Sequence, residues 1–194
     1  MPWQVALVRP GSSQPFCGGT LISDRHVLTA AHCTGSSSGN GGAWDVMVGE
    51  HDVTDSSDGT RHTVCRWVNH PQYNRPSAIN NDFAIVTLTQ AVTIGTRANY
   101  ACLPTSAMGG SFLDDKTVTV SGWGDLVGGG TGPTRLYEVD LPGMSNSACS
   151  QLDELGLPIT DQMLCAGRTG DNAVGACHGD SGGKCIIVLS TFVQ

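Results

Sequence analysis

Short apolar or alternating runs, each closed off by glycine, serine, proline or asparagine, recur along this chain and constrain its fold more than any other feature. Trp3 to Val8, Thr20 to Ile22, Val27 to Thr29, Ala43 to Val48, Thr63 to Val68 and Phe83 to Leu88 form a first series. After a connecting segment containing Pro104, Gly109 and Gly110, Thr117 to Ser121 and Arg135 to Leu141 begin a second. Runs of this length without a helical period read as consecutive strands and hairpins of a barrel or sandwich. The 26 glycines and a charged content of only 14% fit a loop-rich β protein rather than a helical bundle or a disordered chain. One short helix is predicted, Ser145 to Leu155, capped by Ser145 or Asn146 and ended by Gly156-Leu157-Pro158. Gly35 to Gly42 reads as a flexible surface loop.

With 194 residues, 39% of them hydrophobic, the chain can bury a substantial core as one large domain or two small ones. No window reaches the roughly 18 apolar residues of a membrane helix, and the longest apolar run, Cys185 to Leu189, suits a buried strand. A net charge of −7 argues against nucleic acid or an anionic membrane as the main partner. Eight cysteines favour an oxidising compartment, and none shows the close spacing of a zinc site, so disulfides are the better account. Met1 stands directly before Pro2-Trp3-Gln4-Val5 with no secretory-signal pattern, which reads as a mature start or a truncation.

The chemistry gathers at Gly179-Asp180-Ser181-Gly182-Gly183. A serine between glycines sits on a sharp turn, its hydroxyl exposed and backbone N–H groups close to whatever it attacks. That hydroxyl needs a base, and Thr29-Ala30-Ala31-His32-Cys33 offers one. Asn80-Asn81-Asp82-Phe83-Ala84-Ile85 offers a carboxylate to orient it. The serine run also satisfies the G-x-S-x-G pattern of α/β-hydrolases, which place acid and histidine after the serine. The thirteen residues after Ser181 contain no Asp, Glu or His, and no alternating βα pattern is present, so that reading is rejected. His26, His51, His62 and His70 read as ordinary surface or core histidines.

Leu28-Thr29-Ala30-Ala31-His32-Cys33, Asn81-Asp82-Phe83-Ala84-Ile85 and Gly179-Asp180-Ser181-Gly182-Gly183, in that order, resemble the chymotrypsin/trypsin family of serine endopeptidases. Cys17-Gly18-Gly19-Thr20-Leu21-Ile22, Ser121-Gly122-Trp123-Gly124 and Met163-Leu164-Cys165-Ala166-Gly167 extend the resemblance from Pro2 to Gly183. It implies an all-β fold of two packed antiparallel β-barrels, chymotrypsin-like, here with the second barrel incomplete. The boundaries expected are 1–102 for the first barrel, 103–116 for the connection and 117–194 for the second. The implied catalytic residues are His32, Asp82 and Ser181, with an oxyanion hole from Gly179 and Ser181. Gly175 would lie at the base of the primary pocket, Ala176 beside it and His178 at its rim. An uncharged floor there favours apolar or aromatic substrate side chains. The implied disulfides are Cys17–Cys33 and Cys149–Cys165, while Cys102 and Cys177 resemble cysteines whose family partners lie outside this chain. Cys65 and Cys185 have no assignable partner. Glu50 to Thr63 resembles a loop that binds calcium in some members, with Glu50, Asp52, Asp55 and Asp58 as oxygen donors, but their spacing is poor. No metal or cofactor is expected.

The chain departs from the family at both ends. The Ile-Val-Gly-Gly type segment, whose freed amine pairs with the aspartate before the nucleophile, is not in the sequence, which leaves Asp180 without that cation. Removing one partner of such a buried pair costs roughly 3–5 kcal/mol, so a zymogen-like state with a loose oxyanion hole is expected. After Gly183 the family continues through further strands and a helix, whereas this chain reads Lys184 to Gln194. The expectation is a secreted, monomeric serine endopeptidase acting on protein or peptide substrates and meeting protein protease inhibitors, without nucleic-acid or membrane partners. The alternative is an inert fragment or a non-catalytic homologue acting by binding.

Overall fold

Gln4–Val8 (β1) has no exposed residue, because it packs on both faces. Side chains alternate across a strand, so Val5 and Leu7 point into one core while Ala6 and Val8 point into another with Val53 and Trp123. A computed structural model describes residues 1–35, 37–105, 113–114, 116–126, 130, 132–152, 158–168 and 175–187. Around β1 run Pro15–Leu21 (β2), His26–Thr29 (β3), Gly39–Asn40 (β4), Asp45–Val48 (β5), Thr60–Asn69 (β6) and Ala84–Leu88 (β7). Their antiparallel order is β6-β5-β1-β2-β3-β7, and β6 also pairs with β7, which closes a six-stranded barrel with β4 attached outside β6. Closure leaves the barrel strands without a free edge. Inside lie Val5, Leu7, Leu21, Val27, Val46, Val48, Val64, Val86 and Leu88, packed under Trp44. Full burial of one such side chain contributes about 1.5–3 kcal/mol.

Two strands depart from the sequence expectation for one physical reason. β2 begins five residues before Thr20, because Gly18 and Gly19 are ladder residues rather than a turn. A Cβ on Gly19 would lie 2.8 Å from the Val27 side chain, and one on Gly18 would lie 2.8 Å from the Gly183 backbone. β4 lies inside the stretch expected to be a flexible loop. Gly39 pairs with Trp67, a Cβ there would meet the indole at 2.5 Å, and the indole N–H donates to Ser37 O at 3.0 Å.

Beyond the barrel, Thr117–Gly122 (β8), Tyr137–Met144 (β9), Cys165–Ala166 (β10) and Lys184–Ile187 (β11) form a four-stranded antiparallel sheet in the order β10-β9-β8-β11. The fold is thus mostly β, a closed barrel and a partial second sheet, in the chymotrypsin-like arrangement expected. Trp123, just after β8, seals the contact with the outer face of β1. Helix is confined, among the described residues, to Ala31–Thr34 (α1) and Asn146–Cys149 (α2). Ser145 caps α2 by accepting from Ala148 N–H at 3.2 Å; residues 153–157 of the expected helix lie outside the described residues. Disulfides join Cys17 on β2 to Cys33 in α1, and Cys149 in α2 to Cys165 on β10. Each closes a loop of 16 residues, a constraint worth about 3 kcal/mol against the unfolded chain.

Candidate active site

The pairing of β3 with β7 sets Thr29 opposite Ala84. The chain leaves Thr29 into α1 and reaches Ala84 from Asp82, so both approach the same end of the barrel. Asp82 there grips His32 twice: Oδ1 accepts the backbone N–H at 2.8 Å, and Oδ2 lies 2.6 Å from Nδ1. The carboxylate accepts the Nδ1–H, which leaves Nε2 as the basic nitrogen. The hydrogen bond to Asp82 raises the His32 pKa above its usual value, partial burial lowers it, and the Asp82 charge adds to the rise. Burial and the same charge hold the Tyr73 hydroxyl above its ordinary range, and a hydrogen bond to Asn74 works the other way.

The turn carrying Ser181 is docked on this end by its main chain. Gly18 N–H donates to Ser181 O at 2.7 Å, and the Cys33 sulfur lies 3.5 Å from the same oxygen. Gly182 has φ +74°, and a Cβ there would meet Thr29 Oγ1 at 2.3 Å and Gly18 O at 2.7 Å, so only glycine fits. The N–H groups of Gly179 and Ser181 have no acceptor among the described residues. No hydrogen bond joins Ser181 Oγ to His32 Nε2; that nitrogen lies 3.7 Å from Cys33 Sγ.

Asp180 has no cationic partner among the described residues, as expected, but two backbone N–H groups serve its carboxylate. Its Oδ1 accepts Gly124 N–H at 2.8 Å and its Oδ2 accepts Cys177 N–H at 2.9 Å. A Cβ on Gly122 or Gly124 would fall within 2.4 Å of that carboxylate, so these glycines leave room for it. Sequence reasoning missed this set because Gly124 is 56 residues away.

Gly175 and Ala176 line a cavity of about 170 Å³ with Gly124, Leu126, Tyr137 and Asp180, whereas His178 lies outside it. The backbone of His178 is tied down, its carbonyl accepting Asp125 N–H at 2.8 Å. A second cavity, of about 360 Å³, runs along Asp82, Phe83, Ala30 and residues 101–104. Cys65 and Cys102 are exposed free thiols, and Cys177 is a half-buried one.

The four carboxylates of the Glu50 loop do not fit a calcium ion. Asp58 accepts His51 N–H and Asp52 N–H and pairs with Arg97 at 2.8 Å. Asp52 is held by Thr54 and Arg135, and Asp55 by Ser57. Among the described residues only Cys17, His32 and Cys33 bring three ligand atoms within 4.8 Å, and the two sulfurs are disulfide-bonded. Glu50 itself is buried, with Oε1 unpartnered. Burial and then the charge of Asp58 raise its pKa to about 7. The folded protein therefore holds a proton that the unfolded chain releases, and stability falls as pH rises from about 4.5 to about 7. Glu50→Gln is expected to raise stability at pH 8 by on the order of 1–2 kcal/mol, trimmed by solvent around the exposed loop tip. The gain should vanish near pH 4.5. Urea unfolding of both proteins across this range checks it, and parallel pH curves would refute it.

These elements define a β-barrel protein with a carboxylate-held histidine beside a glycine-flanked serine turn. The sequence matches the trypsin family profile over residues 1–187, and the chain belongs to that family. It is 33% identical to the proclotting enzyme of Tachypleus tridentatus, over 98% of this chain and 52% of that protein. It is 34% identical to a trypsin of Phaedon cochleariae (96% and 69%) and 35% identical to chymotrypsin-C of Bos taurus (94% and 66%). The chain thus spans between about half and two thirds of the length of these curated relatives. The structure of neuropsin, a serine protease expressed in the limbic system of mouse brain, superimposes with a TM-score of 0.76 at 28% identity, covering 96% of this chain and 77% of that one.

Proposed function

We propose that the chain is the catalytic part of a secreted serine endopeptidase that cleaves proteins through an acyl-enzyme intermediate. The observation that carries the reading is the double grip of Asp82 on His32, at 2.8 and 2.6 Å, on the barrel end where the Ser181 turn docks. In this reading His32 Nε2 takes the Ser181 hydroxyl proton as Oγ attacks a peptide carbonyl. The free N–H groups of Gly179 and Ser181 receive the developing oxyanion. His32 then returns the proton to the leaving amine, and water repeats the cycle on the ester. Asp82 holds the tautomer and stabilises the imidazolium. Asp180, pinned by Gly124 and Cys177, keeps the turn in shape for those donors. That no hydrogen bond joins Ser181 Oγ to His32 Nε2 in the free protein suits a bond that forms when substrate arrives. The same observation favours a second reading, an inert homologue acting by binding. The 1–102, 103–116 and 117–194 division belongs to the proposal, supported by barrel strands that end at Leu88 and sheet strands that begin at Thr117.

Gly175 as an uncharged floor gives a preference for apolar or aromatic side chains before the cleaved bond. A panel of peptide nitroanilides with Phe, Leu, Ala, Arg or Lys at that position tests it. Phe and Leu substrates are expected to exceed Arg and Lys by about tenfold or more in kcat/KM, and Gly175→Asp should reverse the order. Preference for Arg in the parent would overturn the specificity. Absence of hydrolysis across the panel would favour the binding reading.

A further inference from the structure

Asn80 is a polar side chain with no solvent exposure, two residues before Asp82. Its amide is fully engaged: Nδ2 donates to Arg75 O at 2.7 Å and lies 3.4 Å from Gln162 Oε1, while Oδ1 accepts the Thr160 hydroxyl. Its backbone O accepts Asn74 N–H at 2.9 Å, closing the loop on itself. Thr160 and Gln162 lie across the molecule in sequence, 80 and 82 residues on. Thr160 is itself held, because Asn146 Nδ2 donates to Thr160 O and Met163 O, both at 3.0 Å. Asn146 begins α2, which the Cys149–Cys165 disulfide ties to β10.

The loop so gripped adopts a backbone that its residues disfavour. Asn74, Ile79 and Asn81 have φ of +61°, +54° and +52°, and they are the only non-glycine residues with positive φ among those described. A β-branched residue such as Ile79 enters this region only when its surroundings over-determine it. The buried amides of Asn80 and Asn81 supply that determination; Asn81 Nδ2 also donates to Arg75 O, at 3.0 Å. The residue delivered by this loop is Asp82, whose two oxygens must meet two N–H groups of His32 at once. A small rotation of the loop breaks one of them.

We propose that Asn80 is a positioning residue for the Asp82–His32 pair, and that its bond to Thr160 makes the geometry of that pair depend on the Asn146 and disulfide-anchored segment of the second sheet. A merely structural Asn80 would affect stability alone. A positioning Asn80 also changes what His32 experiences when the fold stays intact.

Thr160→Val removes the hydroxyl that feeds Asn80 without touching His32, Asp82 or Ser181. Thr160→Ser restores it, and Asn80→Ala removes the whole hub. In Thr160→Val we expect kcat for a peptide nitroanilide to fall about three- to tenfold with KM within twofold. Asn80→Ala should lose about 10- to 100-fold, the scale of a misplacement near 1 Å. The His32 ring titration, followed by NMR, should move down in both variants and return in Thr160→Ser. The kinetic arm rests on the proteolytic reading, whereas the titration does not. A parent without turnover sinks that reading and leaves the titration to decide the coupling. Should Asn80→Ala fail to fold, Thr160→Val carries the test. A folded Thr160→Val with parental His32 titration overturns the inference, with or without turnover.

Discussion

Ser181→Ala is expected to lower kcat on a peptide nitroanilide by about 10⁶-fold, with unfolding curves that overlay those of the parent. The magnitude is that of removing the nucleophile from a serine–histidine unit, which leaves the oxyanion donors and binding in place. Stability should hold because the anchors of this turn are main-chain atoms. Ser181 O receives Gly18 N–H, and Gly182 and Gly183 nest against Thr29, Ala30 and Gly18. The hydroxyl takes part in no hydrogen bond among the described residues. Steady-state kinetics beside urea unfolding check both halves. A loss below about 10²-fold would remove Ser181 from the chemistry.

The second large effect is expected for Asp82→Asn, a loss of about 10⁴ in kcat. That size comes from the trypsin family's own triad rather than from this geometry. The geometry supplies the reason. Asp82 accepts two protons, one from the His32 backbone and one from Nδ1. An asparagine can turn its oxygen to only one of them, and its NH₂ facing Nδ1 forces the proton onto Nε2, where the base is needed. The hydrogen bond to Asp82 is also the main reason that the His32 pKa lies above its usual 6.5. The acid limb of kcat/KM in the parent should therefore lie above pH 6.5, and in the variant it should move down. Stability carries the same sign. A raised histidine pKa stabilises the fold below the unfolded value and loses that contribution as pH rises through the folded one. Asp82→Asn should thus be more destabilised at pH 5 than at pH 8. Equal destabilisation at both would contradict the ion pair.

Much of this site is legible in the sequence because its chemistry-bearing residues sit in short, self-describing stretches. His32 follows a strand and precedes a cysteine, Asp82 precedes a strand, and Ser181 lies between glycines. Strand existence was equally readable from alternation, as in Ala84–Leu88, where the odd positions of the run are buried. What escapes the sequence is whatever depends on two segments far apart. Gly18 and Gly19 look like a turn until Val5, Val27 and Gly183 are seen to crowd them. Asn80 looks like a turn residue until Thr160 and Gln162 arrive from the other half of the chain. Asp180 looks unpartnered until the Gly124 and Cys177 amides are placed. The Glu50 loop is the converse case: its acidic run resembles a cation-binding loop, yet Arg97, Arg135, backbone N–H groups and local hydroxyls already serve Asp52, Asp55 and Asp58, while Glu50 keeps one oxygen unpartnered.

Labelling of the purified chain with a fluorophosphonate probe tests the central claim most directly, since the probe reacts only with a serine whose base and oxyanion donors are assembled. Rapid labelling at Ser181, absent in Ser181→Ala and slowed in Asp82→Asn, is the expected result. A folded chain that takes up no probe would contradict the enzymatic reading and leave a trypsin-family protein that acts by binding.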